Sequence, residues 1–75
     1  MVQSKDNQPQ SGEKYRHYKG GEYLVIAVGK MESDGQVVVI YQSFIYKEVW
    51  VRPLISWMEV VEKEGVKIPR FTRID

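Results

Sequence analysis

Aromatic and basic side chains are interleaved at two places in this sequence, and such side chains can bind flat, anionic molecules. Residues 15–19 read Tyr-Arg-His-Tyr-Lys, and residues 50–52 read Trp-Val-Arg. In a strand, Trp50 and Arg52 lie on one face because successive side chains alternate. An exposed Trp beside an Arg forms a stacking surface with a cation, which suits a base or a nucleotide. The alternative is that Trp50 belongs to the core and that Arg52 pairs with Glu48 or another carboxylate.

The predicted ligand-binding face combines these two segments with a basic residue near the end of the chain. Its members are Arg16, His17, Tyr18, Lys19, Trp50, Arg52 and Arg70. Cationic and aromatic residues interleaved in strands are typical of surfaces that bind nucleotides or nucleic-acid strands. The sequence therefore predicts an anionic ligand, a nucleotide or a nucleic acid, on condition that the ring of Trp50 points outward.

Groups that could catalyse a reaction or hold a metal are sparse. His17 is the single histidine, and the local sequence offers it no partner for general base catalysis, so a structural histidine bonded to backbone is the alternative. Glu59, Glu62 and Glu64 form an acidic patch without the clustered His or Asp of a hard-metal site. Residues 19–21, Lys-Gly-Gly, are typical of a plain turn and lack the spacing of a phosphate loop. No catalytic residue, metal or cofactor is predicted.

The length of the chain fits one domain. Its 75 residues can bury only about 60% of the surface that the unfolded chain exposes, so oligomerisation would help stability. Residues 1–12 are polar and nearly devoid of apolar side chains, which predicts a disordered tail. Residues 13–75 are predicted to form a single small β domain.

Charge and cysteine content narrow the class of protein. The net charge of +1 is far from the basic excess of a dedicated nucleic-acid binder. The absence of cysteine excludes disulfides, thiolate metal sites and a Cys nucleophile, and it favours a reducing cytoplasm. The start of the chain has no signal-peptide pattern, and no apolar run approaches the ~20 residues of a membrane span. We therefore expect a cytoplasmic protein without membrane contact.

Short runs of β-branched and aromatic residues between turn signals predict a mostly-β domain. Strands are expected at residues 15–19, 22–28, 36–42, 49–52, 59–62 and 66–71. Residues 33–35, Ser-Asp-Gly, predict a hairpin turn, and Lys47-Glu48 a second turn. Val49 and Val51 take the face opposite Trp50, which suits the core.

These strands fit two architectures. Several short strands with turns about every ten residues favour a small SH3-like barrel. The alternative is a compact antiparallel sheet with one short helical turn. That turn is predicted at residues 54–58, where Leu54, Trp57 and Met58 are spaced i, i+3, i+4. Pro69 marks the last strand as an edge strand or a bulge.

Five blocks of the sequence resemble the bacterial domain-of-unknown-function family 1653. They are YRHYKG at residues 15–20, Tyr23, VIY at 39–41, WVRPL at 50–54 and PRF at 69–71. Members share an H-Y-K-G, V-V-Y, W-V-R-P and R-F skeleton in this order. The chain departs from the family at residues 31–34, Met-Glu-Ser-Asp, where members tend to carry His-Ser/Thr-Glu-Thr. The resemblance implies the fold and supplies no activity.

Three hypotheses for function follow. The first is a non-catalytic binding module for the anionic ligand. The second is a protein-interaction or self-assembling domain, a possible homo-oligomer, because the chain has more apolar residues than so small a domain easily buries. These are Phe44, Ile45, Tyr46, Leu54, Ile55 and Trp57. The third is an enzyme, which would need a deep pocket holding His17 and an acidic residue.

Overall fold

The computed structural model describes residues 8–74, which form seven strands and one short helix. In chain order these are β1 Lys14–His17, β2 Glu22–Lys30, β3 Val37–Ser43, β4 Val49–Pro53, α1 Leu54–Trp57, β5 Val60–Lys63, β6 Val66–Pro69 and β7 Phe71–Arg73. The strands coincide with the β-branched and aromatic runs of the sequence, because such side chains suit a pleated, half-buried surface. The predicted mostly-β class is confirmed.

All strand pairs within residues 8–74 are antiparallel. Five strands form one sheet in the order β4-β3-β2-β1-β7, and β5 and β6 form a separate hairpin. The sheets do not close into a barrel, because the chain between β4 and β7 folds as α1 and the β5–β6 hairpin and leaves β4 and β7 at opposite edges. Of the two predicted architectures, the antiparallel sheet with a short helical turn is confirmed and the SH3-like barrel does not form.

The tight turns between β2 and β3 and between β3 and β4 lie close to the residues for which the sequence predicts turns. Asp34 Oδ1 accepts the backbone N–H of Gln36 at 2.9 Å, and Gly35 has a φ of +75° between β2 and β3. Lys47, with a φ of +63°, closes the β3–β4 turn and donates its N–H to the Ser43 carbonyl at 3.0 Å. The predicted hairpin turn at residues 33–35 is confirmed, and the second turn, predicted at Lys47-Glu48, is formed by residues 44–47.

One face of the five-stranded sheet carries the core. Its buried side chains are Tyr15, Val25, Val39, Tyr41 and Phe71, and Trp57 of α1 covers them. The ring of Trp57 stacks on that of Phe71, with centroids 3.7 Å apart and planes within 6°. The predicted helical turn is confirmed, and its function is to place a 2% exposed Trp57 over the sheet.

Two details of the sequence interpretation are corrected. Val49 and Val51 were expected in the core, but both are 54% exposed because nothing within residues 8–74 covers that face of the edge strand β4. The predicted strand 66–71 is divided between β6 and β7. The break falls at Arg70, whose N–H bonds to the Glu59 carbonyl at 2.9 Å as the chain passes from the hairpin to the large sheet.

The predicted disordered tail lies largely outside the described residues, which begin at residue 8. Within the described part, Pro9 is buried and the N–H of Gly12 donates to the Val25 carbonyl at 2.8 Å. No helix among residues 8–74 has the length and the apolar character needed to cross a bilayer.

Candidate ligand-binding pocket

An open pocket of about 400 Å³ lies on the core-bearing face of the sheet, at the end where α1 does not cover it. Its rings come from Tyr23, Tyr41, Tyr46, Trp50 and Phe71, and its polar groups from His17, Lys19, Ser43, Glu48 and Arg52. Strand register explains the assembly, because Tyr41 pairs with Trp50 and His17 with Phe71 across neighbouring strands. Directly opposite residues share one face.

Trp50 lies at the rim of this pocket. Its side chain is 50% exposed, and its ring contacts no other aromatic ring among the described residues. The alternative of a core position is therefore excluded for Trp50, and the core position belongs to Trp57 instead. An unpartnered indole at a pocket rim is available to stack on a flat ligand.

Arg52 is half-buried at the base of the pocket wall. Its Nε donates to the Tyr41 hydroxyl at 3.2 Å and its Nη1 to the Ser56 hydroxyl at 2.8 Å. The guanidinium carbon lies 5.5 Å from the centre of the Phe71 ring. No carboxylate within residues 8–74 forms an ion pair with Arg52, so the alternative pair with Glu48 is not made. Neutral partners hold the guanidinium group in place. Within residues 8–74 its positive charge is therefore not compensated by a carboxylate, and its Nη2 donors remain available to a ligand.

His17 connects the β1–β2 turn to the pocket. Its Nδ1 accepts the backbone N–H of Lys19 at 3.1 Å, so the neutral ring carries its proton on Nε2. The ring lies edge-on to Phe71, with centroids 5.0 Å apart. Burial lowers the pKa of His17, and the positive charges of Arg52, Arg70 and Lys19 lower it further. His17 is therefore a neutral hydrogen-bond donor near pH 7.

The lowered pKa of His17 predicts a loss of stability at mildly acidic pH. The unfolded chain, with an ordinary pKa of 6.5, takes up the proton at a higher pH than the folded chain. Unfolding is therefore favoured progressively as the pH falls from about 6.5 through the lowered pKa of the folded state. Urea unfolding at about pH 7.5 and about pH 5 measures this loss. The loss should be smaller in His17→Gln, and an equal loss in that variant would contradict the assignment.

The structure divides the predicted ligand-binding residues into two groups. His17, Lys19, Trp50 and Arg52 line the pocket together. Arg16, Tyr18 and Arg70 do not line it.

Arg16 and Tyr18 border a separate depression beside Ile68 and Pro69. The charge of Arg16 is compensated, because its Nη2 lies 2.7 Å from Glu22 Oε2. Strand alternation places Arg16 on the face opposite that of His17. Tyr18 follows the end of β1, and its ring centroid lies 4.7 Å from that of His17, which also borders this depression.

The side chain of Arg70 is held by an ion pair and a hydrogen bond to neighbouring segments. Its Nη2 lies 2.6 Å from Glu59 Oε1, and its Nε donates to the Ser56 carbonyl at 3.1 Å. Arg70 is near enough to affect the pKa of His17, but Glu59 compensates its charge.

Sequence reasoning missed most of the rings of the pocket. Tyr23 and Tyr41 have their centroids 5.3 Å apart, and Phe71 lies beside both. Tyr41 could have been found from the alternation of β3, which puts it on the same face as Val39. The contact of Tyr23 with Phe71 could not, because the two residues are far apart along the chain. Gly21 is also part of this arrangement, because a Cβ there would lie 2.9 Å from the Tyr23 hydroxyl.

The open pocket holds His17 and one acidic residue, Glu48, the two kinds of group that the enzyme hypothesis named. Its titratable side chains include one histidine, one lysine and one carboxylate, Glu48. No three His, Asp or Glu side chains within residues 8–74 are arranged to hold a metal ion. The remaining groups can stack on a flat ring, attract an anion and donate hydrogen bonds from Arg52, Lys19 and His17.

Residues 13–73 match the model of a family described as a protein of unknown function, DUF1653. The chain belongs to the DUF1653 family. A crystal structure of a DUF1653 protein from Bordetella bronchiseptica is similar to it, with a TM-score of 0.81 and 27% sequence identity, over 95% of this chain and 92% of that chain. Comparison with curated proteins finds no match.

The resemblance to DUF1653 that the five sequence blocks indicated is thus confirmed. Six pocket residues fall within those blocks: His17, Lys19, Tyr23, Tyr41, Trp50 and Arg52. A seventh, Phe71, ends the last block. Seven of the residues that carry the likeness to DUF1653 therefore meet at one place on the sheet, although they are distant in sequence.

Proposed function

We propose that this DUF1653 chain is a cytoplasmic, non-catalytic binding module whose pocket takes a small anion bearing a flat ring, such as a nucleotide. The observation that carries the proposal is the half-buried Arg52, which lacks a carboxylate partner among the described residues and lies beside the exposed ring of Trp50. A cation that neutral groups hold in place is ready to receive an anion, because little reorganisation is needed when the ligand binds.

Each part of such a ligand has a partner in the pocket. A phosphate would take the free donors of Arg52, and the ammonium of Lys19 adds a second positive charge. A base would stack on Trp50, which is worth about 1–3 kcal/mol. The carboxylate of Glu48 can accept hydrogen bonds from sugar hydroxyls, and its negative charge disfavours ligands with many phosphates.

The distribution of charge favours a small ligand over a nucleic-acid strand. A strand needs a row of free cations along its backbone. Arg16 and Arg70 are instead paired with Glu22 and Glu59, and Arg73 lies 3.1 Å from Glu13. The pocket volume of about 400 Å³ falls in the range of small-molecule sites. We therefore favour a nucleoside monophosphate over an oligonucleotide.

Titration of tryptophan fluorescence tests the proposal. Nucleoside mono- and triphosphates, inorganic phosphate and a short single-stranded oligonucleotide are added at low salt. Saturable quenching is expected with the monophosphates, and it should be lost in Trp50→Phe, which retains Trp57 as a reporter. Ile55→Ala is the control, because Ile55 is exposed and lies outside the pocket. The proposal fails if none of these ligands quenches, or if Trp50→Phe is quenched as much as the native chain.

A further inference from the structure

The free edge of β4 has a backbone pattern that can be assigned from the register of its neighbour. Ser43 donates its N–H to the Glu48 carbonyl at 3.0 Å, and the β3–β4 pairing continues in the same register to Pro53. In an antiparallel ladder, hydrogen-bonded pairs alternate with non-hydrogen-bonded ones. Trp50 and Arg52 therefore direct their backbone groups towards β3. Val49 and Val51 direct theirs outward.

We propose that two copies of this chain associate by pairing their β4 strands antiparallel across this edge, with Trp50 on the twofold axis. The proposal concerns the edge of the sheet and does not depend on the ligand of the pocket. Val49 and Val51 are each 54% exposed, and β4 has β3 as its one strand neighbour among the described residues. An edge of this kind is a template for pairing with another chain.

The outward backbone groups select one register. When Trp50 faces Trp50, Val49 of each copy exchanges two hydrogen bonds with Val51 of the other, so that about four bonds form. A shift towards the end of β4 would oppose Val49 to Pro53, which has no N–H to donate. A shift towards its start would bring in Lys47, whose φ of +63° ends the extended backbone.

The side chains are complementary in the same register. Glu48 of one copy lies opposite Arg52 of the other, twice by symmetry, and opposite charges across a strand pair attract. In the dimer, Glu48 of the second copy and an anion in the pocket therefore compete for the Nη2 donors of Arg52, whose Nε and Nη1 stay bonded to Tyr41 and Ser56. On the outer face, Val49 lies opposite Val51, so the exposed valines of the two copies cover one another. On the pocket face, the two Trp50 side chains meet. One short segment therefore supplies hydrogen bonds, apolar contact and matched charge to a second copy of itself.

This pairing would also bring the two pockets together. Trp50 and Arg52 belong to the pocket face, so each copy would add its indole beside the rim of the other's pocket. The edge strand would become an interior strand of a ten-stranded sheet made of two five-stranded ones. The association would add buried surface to a chain of 75 residues, whose own core is small.

Cross-linking tests the register directly, because the chain contains no cysteine of its own. Trp50→Cys places two thiols in a non-hydrogen-bonded pair, with Cα atoms about 4.5 Å apart, within the range of a disulfide. Mild oxidation should convert this variant to covalent dimer at protein concentrations where Ile55→Cys stays monomeric. Ile55 is 73% exposed on α1 and serves as the matched control. Equal cross-linking of the two variants, or none in Trp50→Cys, would overturn the register.

Sedimentation velocity over a range of concentrations tests the association without cysteines. The native chain should form a reversible dimer. Glu48→Lys, which makes both cross-strand pairs like-charged, should associate roughly two- to thirty-fold more weakly. Glu62→Lys makes the same charge change on exposed β5 and should leave association unchanged. A native chain that stays monomeric at all concentrations would overturn the proposal, as would equal weakening by the two lysine variants.

Discussion

Replacement of Trp57 by alanine is expected to remove about 3–5 kcal/mol from the free energy of unfolding, the cost of deleting a buried aromatic side chain. Trp57 is 2% exposed and stacks on Phe71 at 3.7 Å. It also meets Tyr15 and Tyr41 edge-on, with centroids 5.3 Å and 4.9 Å away. Three rings therefore lose a contact at once, and the four-residue helix that carries Trp57 loses its anchor.

Such a loss is large for a small domain, whose whole stability is about 5–15 kcal/mol. Urea unfolding followed by circular dichroism measures it, because the midpoint falls in proportion to the free energy. Trp50→Ala is the matched control. It removes the same side chain from a 50% exposed position and should cost less than about 1 kcal/mol. Equal destabilisation by the two variants would contradict the assignment of Trp57 to the core and Trp50 to the rim.

Replacement of Arg52 by methionine should weaken nucleotide binding about ten- to a hundred-fold. Hydrogen bonds to a charged group are worth about 1.5–3 kcal/mol, and each 1.4 kcal/mol changes affinity tenfold. Methionine keeps the apolar stem against the Phe71 ring and removes the cation that Tyr41 and Ser56 hold in place. Isothermal titration calorimetry with a nucleoside monophosphate measures the change.

Two further variants separate charge from geometry in this measurement. Arg52→Lys keeps a positive charge without the planar fork, so its affinity should fall between those of the native chain and Arg52→Met. Arg16→Met removes an arginine that is already paired with Glu22 outside the pocket, and it should bind as the native chain does. If Arg16→Met lost as much affinity as Arg52→Met, the overall positive charge of the chain, and not a specific contact with Arg52, would account for binding.

The strands and turns of this domain could be predicted because their causes are local. Asp34 and Gly35 form the β2–β3 turn through a bond from backbone to side chain two residues away and a positive φ. The spacing of Leu54 and Trp57 was enough to predict one helical turn. The five blocks of the sequence were likewise enough to indicate the DUF1653 family.

The candidate site was predictable only in part. Trp50 and Arg52 could be placed on one face from strand alternation, and His17 and Lys19 prove to share their pocket. Arg16 and Arg70 were grouped with them by charge alone. Whether an arginine is free to bind a ligand depends on whether a carboxylate lies within reach of it. Arg70 is paired with Glu59, which is eleven residues away in sequence.

What the sequence determined by itself is therefore the set of strands, the turns between them and the family. Each of these rests on neighbours within a few residues, or on the order of blocks along the chain. Tertiary structure alone decided that the sheet stays open, that Trp57 rather than Trp50 fills the core, and that Val51 faces outward. The physical reason is that burial and charge pairing depend on which distant segments cover a side chain, and no local pattern records that.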